Sequence, residues 1–194
     1  MSRLVWWLPF FLLAGCVGRI IPPQDIEQPV TFYLLDHGRH ASLVLPGGQG
    51  GMVRYSFGEW RWYVDGRRNL LSGAVALLWP TRAGLGRGVF PEISDSEQFE
   101  RLAPEGLERI HTLRADMRRV QALRLRLDAR FEAPETEPVE SEEFGLAFVP
   151  DSRRYSAVYQ SNLVVANWLR QLGFEVRGTP WLSHWRIVPQ APAN

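Results

Sequence analysis

The sequence predicts a single α+β domain with an antiparallel sheet and two main helices. β-rich runs at 30–35, 41–46 and 52–57 are joined by short links that contain glycine, which is typical of an antiparallel meander. Amphipathic runs at 114–131 and 161–173 have apolar residues three or four positions apart, a spacing that predicts helices. The sequence contains no internal repeat that would indicate a second domain. The chain is long enough to form one core.

The other predicted elements complete this domain in chain order. Helices are expected at 67–79, 114–131 and 161–173, and the later strands at 107–113, 144–150 and 185–189. The run TRAGLGRGVF has glycine at 84, 86 and 88 and predicts a flexible loop over a cleft. The glutamate-rich segment 132–143 predicts an exposed loop.

The first residues have the form of a bacterial secretion signal. Arg3 precedes an uncharged run from 4 to 15, which is shorter than the about 20 apolar residues that span a bilayer. Leu13 to Cys16 resembles the lipoprotein box, in which a peptidase cuts before the cysteine and the thiol is acylated. The alternative is an ordinary signal peptide followed by a chance cysteine. We expect residues 1–15 to be a lipoprotein signal peptide and Cys16, the only cysteine of the chain, to carry the lipid.

Acylation at Cys16 would decide both location and chemistry. It would hold the protein on a membrane through several acyl chains and leave no free thiol for a disulfide or a nucleophile. Residues 16–29 are then the lipidated cysteine and a polar, proline-containing tether, and 30–194 form the domain. Val17 follows the cysteine, which by resemblance to the sorting rule of enteric bacteria favours the outer membrane, facing the periplasm.

Composition excludes some functions and leaves others open. The net charge of +1 gives no indication of a nucleic-acid partner. The glycine-rich run lacks the strand-then-helix context of a nucleotide loop, and the histidine and glutamate spacings do not fit a zinc site, so we expect no cofactor and no metal. The sequence gives no oligomeric state.

Two stretches could carry chemistry. HGRHASLVL places His40 at the entry to a strand, and YQSNLVVANWL places Ser161 at the start of a helix. A nucleophile on the first turn of a helix, with an imidazole as base and a third polar group to orient that base, forms a hydrolytic site.

These stretches also carry a resemblance. A lipoprotein box followed by HGRHASLVLP, YSFGEWRWY and SNLVVANWL resembles an uncharacterised family of bacterial lipoproteins with a domain of unknown function. That family is similar to circularly permuted papain-like proteins of the NlpC and lecithin:retinol acyltransferase types, in which the histidine strand precedes the nucleophile helix. The resemblance implies a permuted papain-like topology. His37, Gly38 and His40 match the family's His-Gly-x-His block, Asn162 matches the asparagine of its Cys-Asn, and Ser161 stands in the position of its cysteine.

The serine leaves three interpretations of this helix start. Ser161 is a helix N-cap, the remnant of a site that still binds a ligand, or a nucleophile with His40 as its base. A serine hydroxyl does not ionise near neutrality as a thiol does, so a serine nucleophile needs tighter geometry with its base.

The remaining candidate residues have assigned roles. Glu59 is the candidate residue that orients His40, and Tyr55 is expected behind Glu59. His37 is expected to hold the turn. His184 is the alternative candidate for the base. Asn162, His37 and Tyr55 are the candidate ligand-binding residues.

Three functions follow from these interpretations. The first is a catalytically degenerate papain-like lipoprotein that binds an envelope ligand, either a peptidoglycan peptide or a lipid. The second is an amide, ester or thioester hydrolase or acyltransferase that uses Ser161, His40 and Glu59. The third is a scaffold lipoprotein with a vestigial cleft.

Overall fold

A computed structural model describes residues 17–67, 79–133, 135 and 137–189 of the protein. The predicted signal peptide, Cys16 and residues 68–78 of the helix predicted at 67–79 lie outside the described residues.

The described residues form strands, α-helices and short 3-10 helices. The strands are β1 (Val17–Ile21), β2 (Pro29–Asp36), β3 (Ala41–Pro46), β4 (Met52–Glu59), β5 (Thr81–Phe90), β6 (Arg109–Asp116), β7 (Val139–Ser141), β8 (Leu146–Tyr155), β9 (Glu175–Arg177) and β10 (His184–Ile187). The α-helices are α1 (Trp60–Tyr63), α2 (Met117–Phe131) and α3 (Ser161–Gln171), and 3-10 turns cover Ser96–Arg101 and Glu142–Phe144.

Two sheets organise these elements. Seven strands form an antiparallel sheet in the order β6-β2-β3-β4-β5-β8-β7, hereafter the large sheet. Three strands form the small sheet, β10-β1-β9, in which β1 runs parallel to β10 and antiparallel to β9. The predicted α+β class with a mostly antiparallel sheet is confirmed.

One face of the large sheet packs against α2 and α3. Alternation along β3 and β4 points Leu43 and Tyr55 towards the helices, where they join one continuous apolar core. The apolar stripe of α2 and the buried face of α3 close this core. Residues 114–116, predicted as the first part of the α2 helix, belong instead to β6, and Asp116 caps α2 by accepting from Arg118 N at 3.0 Å.

The segment predicted as a glycine-rich loop is the strand β5, so that prediction is wrong. Gly84 and Gly86 share the face of β5 that is opposite the helices. On this face a Cβ at Gly86 would lie 2.6 Å from the ring of Phe148. The glycines therefore make room for the rings of Trp60 and Phe148, which approach the strand closely. Trp60 and Tyr63 of α1 complete this aromatic cluster.

Part of the segment predicted as a tether is a strand. Val17–Ile21 form β1, the central strand of the small sheet, and Ile20 is fully buried in the main core. Pro22 and Pro23 follow the strand and mark its end. The sequence VGRII alternates too briefly to be recognised as a strand, and its pairing partners are more than 150 residues away.

Candidate functional site

The two residues expected to act together, His40 and Ser161, belong to different groups. The His40 ring stacks on His37, with centroids 4.5 Å apart, and meets Tyr63 and Phe144 on the aromatic side of the large sheet. Ser161 is the first residue of α3, which packs on the opposite, helical side. Among the described residues no hydrogen bond joins Ser161 to His40.

A buried ion pair lies at the centre of the His40 group. Arg54 is fully buried on β4, and its guanidinium donates to both carboxylate oxygens of Glu105. It also donates to the carbonyl oxygens of Leu102 at 2.6 Å and Phe144 at 3.2 Å, and its Nε donates to Ser42 Oγ at 3.0 Å. Every donor direction of the guanidinium is thus used inside the protein, which a buried charge requires.

The protonation states in this group follow from the burial and the charges. Burial, together with the positive charge of Arg54, lowers the pKa of His37 to about 3. Burial alone would raise the pKa of Glu105, but contacts with His40 and Arg54 outweigh it and lower this pKa to about 2. Near neutral pH the group therefore holds an ionised Glu105, a charged Arg54 and a neutral His37.

His37 uses both ring nitrogens in hydrogen bonds within this network. Its Nδ1 donates to the carbonyl oxygen of Gly106 at 2.7 Å, and its Nε2 lies 3.0 Å from Ser42 Oγ and 3.2 Å from the Arg54 guanidinium. This pattern requires the tautomer with the proton on Nδ1, so that Nε2 is the acceptor. His37 thereby ties the β2–β3 turn to the 104–108 loop.

His40 differs from His37 because one of its nitrogens is left without a hydrogen bond. Its Nε2 lies 3.8 Å from Glu105 Oε1, which is beyond hydrogen-bonding distance, and it is excluded from solvent without any hydrogen-bond partner. The His40 side chain is 17% exposed, so part of the ring reaches the surface. An unpaired buried nitrogen at an accessible ring is a place where a ligand can complete the hydrogen bonding.

Three residues of this group carry donor atoms of the kind that bind metal ions. One donor atom each from His37, His40 and Glu105 lie within 4.8 Å of one another. However, both nitrogens of His37 are already used, and the Arg54 guanidinium occupies the cationic position beside Glu105. The group therefore does not fit a metal ion unless Arg54 is displaced.

Ser161 is sealed at the start of α3. Its Oγ donates to Gln160 Oε1 at 3.2 Å, and only 4% of the residue is exposed. The N-cap is Gln160, whose side chain accepts from Asn162 N at 2.8 Å, so the cap lies one residue before the serine that the sequence suggested. The Nδ2 of Asn162 donates to the carbonyl oxygens of Arg39 and Trp181, at 3.1 and 3.3 Å, and fixes the helix start beneath the 178–183 loop.

Glu59 serves α1 instead of orienting His40. Its Oε2 accepts from Trp62 N at 2.9 Å and caps that helix, while its Oε1 is buried without a hydrogen bond. Burial raises the pKa of the nearby Tyr155, contact with Ser161 lowers it, and the charge of Glu59 raises it. Ser161 and Glu59 therefore both neighbour a phenol.

The last two candidates lie elsewhere. Tyr55 donates to Asp128 Oδ1 of α2 at 2.6 Å, and burial and this carboxylate raise its pKa. It belongs to the helical side of the sheet and does not stand behind Glu59 as a ligand contact. His184 is exposed at the start of β10, where it pairs with Val17 in the small sheet.

Sequence reasoning missed the residues that organise the His40 group. Arg54 could have been found, because Val53, Tyr55 and Phe57 alternate with Arg54 and Ser56 and thereby place a charge inside the sheet. Glu105 gave no signal, since it stands in an irregular Pro-Glu-Gly stretch that only tertiary folding brings to Arg54.

Comparisons with family models, with curated proteins and with solved structures found no match to this chain. The resemblance to the lipoprotein family therefore stays a prediction.

Within the described ranges, no helix has the length and apolar character needed to cross a membrane.

Proposed function

We propose that the protein is a membrane-anchored envelope lipoprotein whose domain is a catalytically degenerate, permuted papain-like module that binds an envelope ligand. The chain order supports this topology: the His40 strand comes first and the α3 helix late, and α3 packs on β3 and β4 of an antiparallel sheet. The ligand class is a peptidoglycan peptide or a lipid headgroup.

One observation carries the binding role, namely the His40 Nε2 that lacks a partner beside Glu105. A buried nitrogen without a hydrogen bond costs free energy that a ligand donor or acceptor recovers on binding. Around it, the rings of Tyr63 and Phe144 offer an apolar wall against which part of a ligand could pack.

The degenerate character rests on Ser161. Its hydroxyl contacts Gln160 Oε1 at 3.2 Å and Tyr155, and Asn162 at the helix start is bound to the 178–183 loop through the carbonyl oxygen of Trp181. A general base must come within about 2.6 to 3.2 Å of the proton that it abstracts, and His40 belongs to another hydrogen-bond group. The hydrolase or acyltransferase alternative, with Ser161 as nucleophile and His40 as base, has no such contact to support it.

A binding titration with soluble muropeptides and short-chain phospholipids tests this function. Isothermal titration on the full chain should give saturable binding that His40→Ala reduces by about tenfold or more, since a lost hydrogen bond to a charged group is worth about 1.5–3 kcal/mol. His184→Ala removes an exposed imidazole on the small sheet and is the matched control for the muropeptides. Saturable binding that is indifferent to His40→Ala, or no binding at all, would leave the scaffold alternative.

A further inference from the structure

The outer face of the small sheet carries three arginines in one row across its strands. The register places Arg19 of β1 opposite Arg186 of β10 on one side and Arg177 of β9 on the other, and all three are exposed. Like charges directly opposite on neighbouring strands destabilise a sheet. Arg177 is paired with Glu175, but in the described part of the chain neither Arg19 nor Arg186 forms an ion pair. This row is therefore a site where an anionic partner would relieve repulsion.

An exposed apolar loop lies at one end of the same sheet. Residues 178–183 connect β9 to β10 and cross the end of β1 that begins at Val17, because His184 pairs with Val17. In this loop Trp181 is 44% and Leu182 is 45% exposed. The loop is held in place, since Gln160 and Asn162 both donate to the carbonyl oxygen of Trp181.

The chain enters the small sheet at that end. Cys16 directly precedes Val17, the first residue of β1, in the sequence, so no further residue separates a lipid on Cys16 from the small sheet. A lipid on Cys16 would bring the loop and the arginine row to the level of the phospholipid headgroups. Arg19 lies two residues along β1, about 7 Å from Val17, within reach of its long side chain.

We infer that Trp181, Leu182, Arg19 and Arg186 form a surface that docks the domain flush onto an anionic phospholipid bilayer. The inference rests on the membrane anchoring in the proposed function. Tryptophan and leucine suit the interface between headgroups and acyl chains, because the indole has an apolar body and a polar N–H. Each arginine held near an anionic surface contributes about fivefold to the docked population.

Two neighbouring carboxylates bear on this surface. Asp36 and Glu108 line the cleft that also contains Val17, His184 and Arg186, together with Arg109. None of these carboxylates comes within ion-pair distance of Arg186 among the described residues, so they reduce the local potential without neutralising the row.

A probe at position 182 tests the docking in the full chain. Leu182→Cys carries an environment-sensitive fluorophore, and the acylated protein is placed in vesicles of phosphatidylethanolamine with phosphatidylglycerol. We expect a blue shift and quenching by lipid-borne quenchers at headgroup depth, both weaker in phosphatidylcholine vesicles. Leu125→Cys is the control, because Leu125 is exposed on α2, the helix that packs against the large sheet. A probe at this position should keep a solvent-like spectrum.

Charge variants test the arginine row. In Arg19→Gln/Arg186→Gln the ratio of docked to undocked molecules should fall about 30-fold, because two such contributions are lost. Arg118→Gln/Arg126→Gln removes the same charge from two exposed positions of α2 and should leave the ratio unchanged. If the α2 pair lowers the ratio and the small-sheet pair does not, the docking surface lies on α2 and the inference is wrong.

The anchor and the docking are measured separately. The mass of the N-terminal peptide reports acylation of Cys16. An acylated chain with a solvent-exposed probe at 182 overturns the docking and leaves the anchor intact. If Cys16 is not acylated, the proposed anchoring fails, and the same probe in Cys16→Ser/Leu182→Cys then tests the docking alone. A blue shift on anionic vesicles supports the docking. The absence of a shift overturns the docking as well as the anchoring. A shift that appears without vesicles as protein concentration rises identifies a second copy as the occupant and also overturns it.

Discussion

At the scale of single residues, the chemistry expected at one site is divided between two. His40 belongs to a group organised by the buried Arg54–Glu105 pair, and Ser161 belongs to the capped start of α3. The division follows from strand alternation, since His40 and Ser42 point to the aromatic face whereas Ala41 and Leu43 point to the helices. Asn162 Nδ2 donates to the carbonyl oxygen of Arg39, the residue before His40, but within the described ranges no hydrogen bond joins Ser161 to His40 itself.

The buried pair should dominate the stability of the aromatic face. Arg54→Met leaves Glu105 charged and without its partner, which should lower the free energy of unfolding by about 3–5 kcal/mol in urea titrations. Arg54→Met/Glu105→Met removes both charges and should recover part of this loss. Arg101→Met breaks an exposed ion pair with Glu92 and should cost at most about 1 kcal/mol. Equal losses for Arg54 and Arg101 would show that the buried network is not special.

His37 should make the protein sensitive to acid. Its folded pKa of about 3 lies below its ordinary value of 6.5, so the unfolded state binds the proton more tightly. Its contribution is therefore complete above 6.5 and is lost as the pH falls towards 3, by an amount on the order of 5 kcal/mol. Glu105, lowered from 4.5 to about 2, adds a loss only below about 4.5.

The pH range from 6.5 to 4.5 separates the effect of His37 from that of Glu105. In urea titrations at several pH values, His37→Asn should flatten the fall in stability from pH 6.5 to 4.5. His111 is the comparison, because burial lowers its pKa as well; His111→Asn should flatten the fall less. A pH profile that His37→Asn leaves unchanged would mean that His37 is protonated in the folded protein.

At the scale of elements, the strands and helices with a clear apolar period were predicted and those without one were not. β2, β3 and β4 fall within about two residues of their predicted bounds, as does the end of α2. The β5 strand was missed because Gly84, Gly86 and Gly88 read as a loop when nothing shows the aromatic rings that cover them. β1 and β9 were missed because three to five residues give no period, and only distant partners define them.

The glycines of β5 give a prediction at this scale. Gly86→Ala places a Cβ 2.6 Å from Phe148 and should lower the free energy of unfolding by about 1–3 kcal/mol, because this fully buried ring would have to shift within the packed cluster. Gly84→Ala meets Trp60 at 3.1 Å and should cost less. Thermal or urea unfolding measures both. If alanine is tolerated equally at both positions, the close approach of Phe148 does not explain the glycine.

β1 gives another. Ile20 is fully buried, so Ile20→Ala should cost about 2–5 kcal/mol, as for other buried isoleucines. Ile26→Ala, in the partly buried segment that follows, is the matched control and should cost clearly less. Urea unfolding of the full chain compares the two. A loss at Ile20 no larger than that at Ile26 would return residues 17–21 to the role of a tether.

At the scale of the whole molecule, the fold class could be predicted from composition and period, but the site could not. His40 and Ser161 were found as residues, yet their relation depends on which face each element presents, and short sequence stretches do not encode that. The molecule that results carries a partly exposed imidazole on one face, a sealed helix start on the other, and a basic edge where the chain enters.

The reactivity of a thiol at position 161 tests the division of the site most directly. Ser161→Cys introduces a thiol at the position that the predicted resemblance assigns to a cysteine, and its alkylation by iodoacetamide is followed against pH in the folded full chain. We expect slow alkylation that reaches the rate of a free thiol only on unfolding and that His40→Ala does not change, because the position is buried and belongs to another group. Fast alkylation near neutral pH that His40→Ala abolishes would mean that the thiolate–imidazole pair forms, and it would contradict the account.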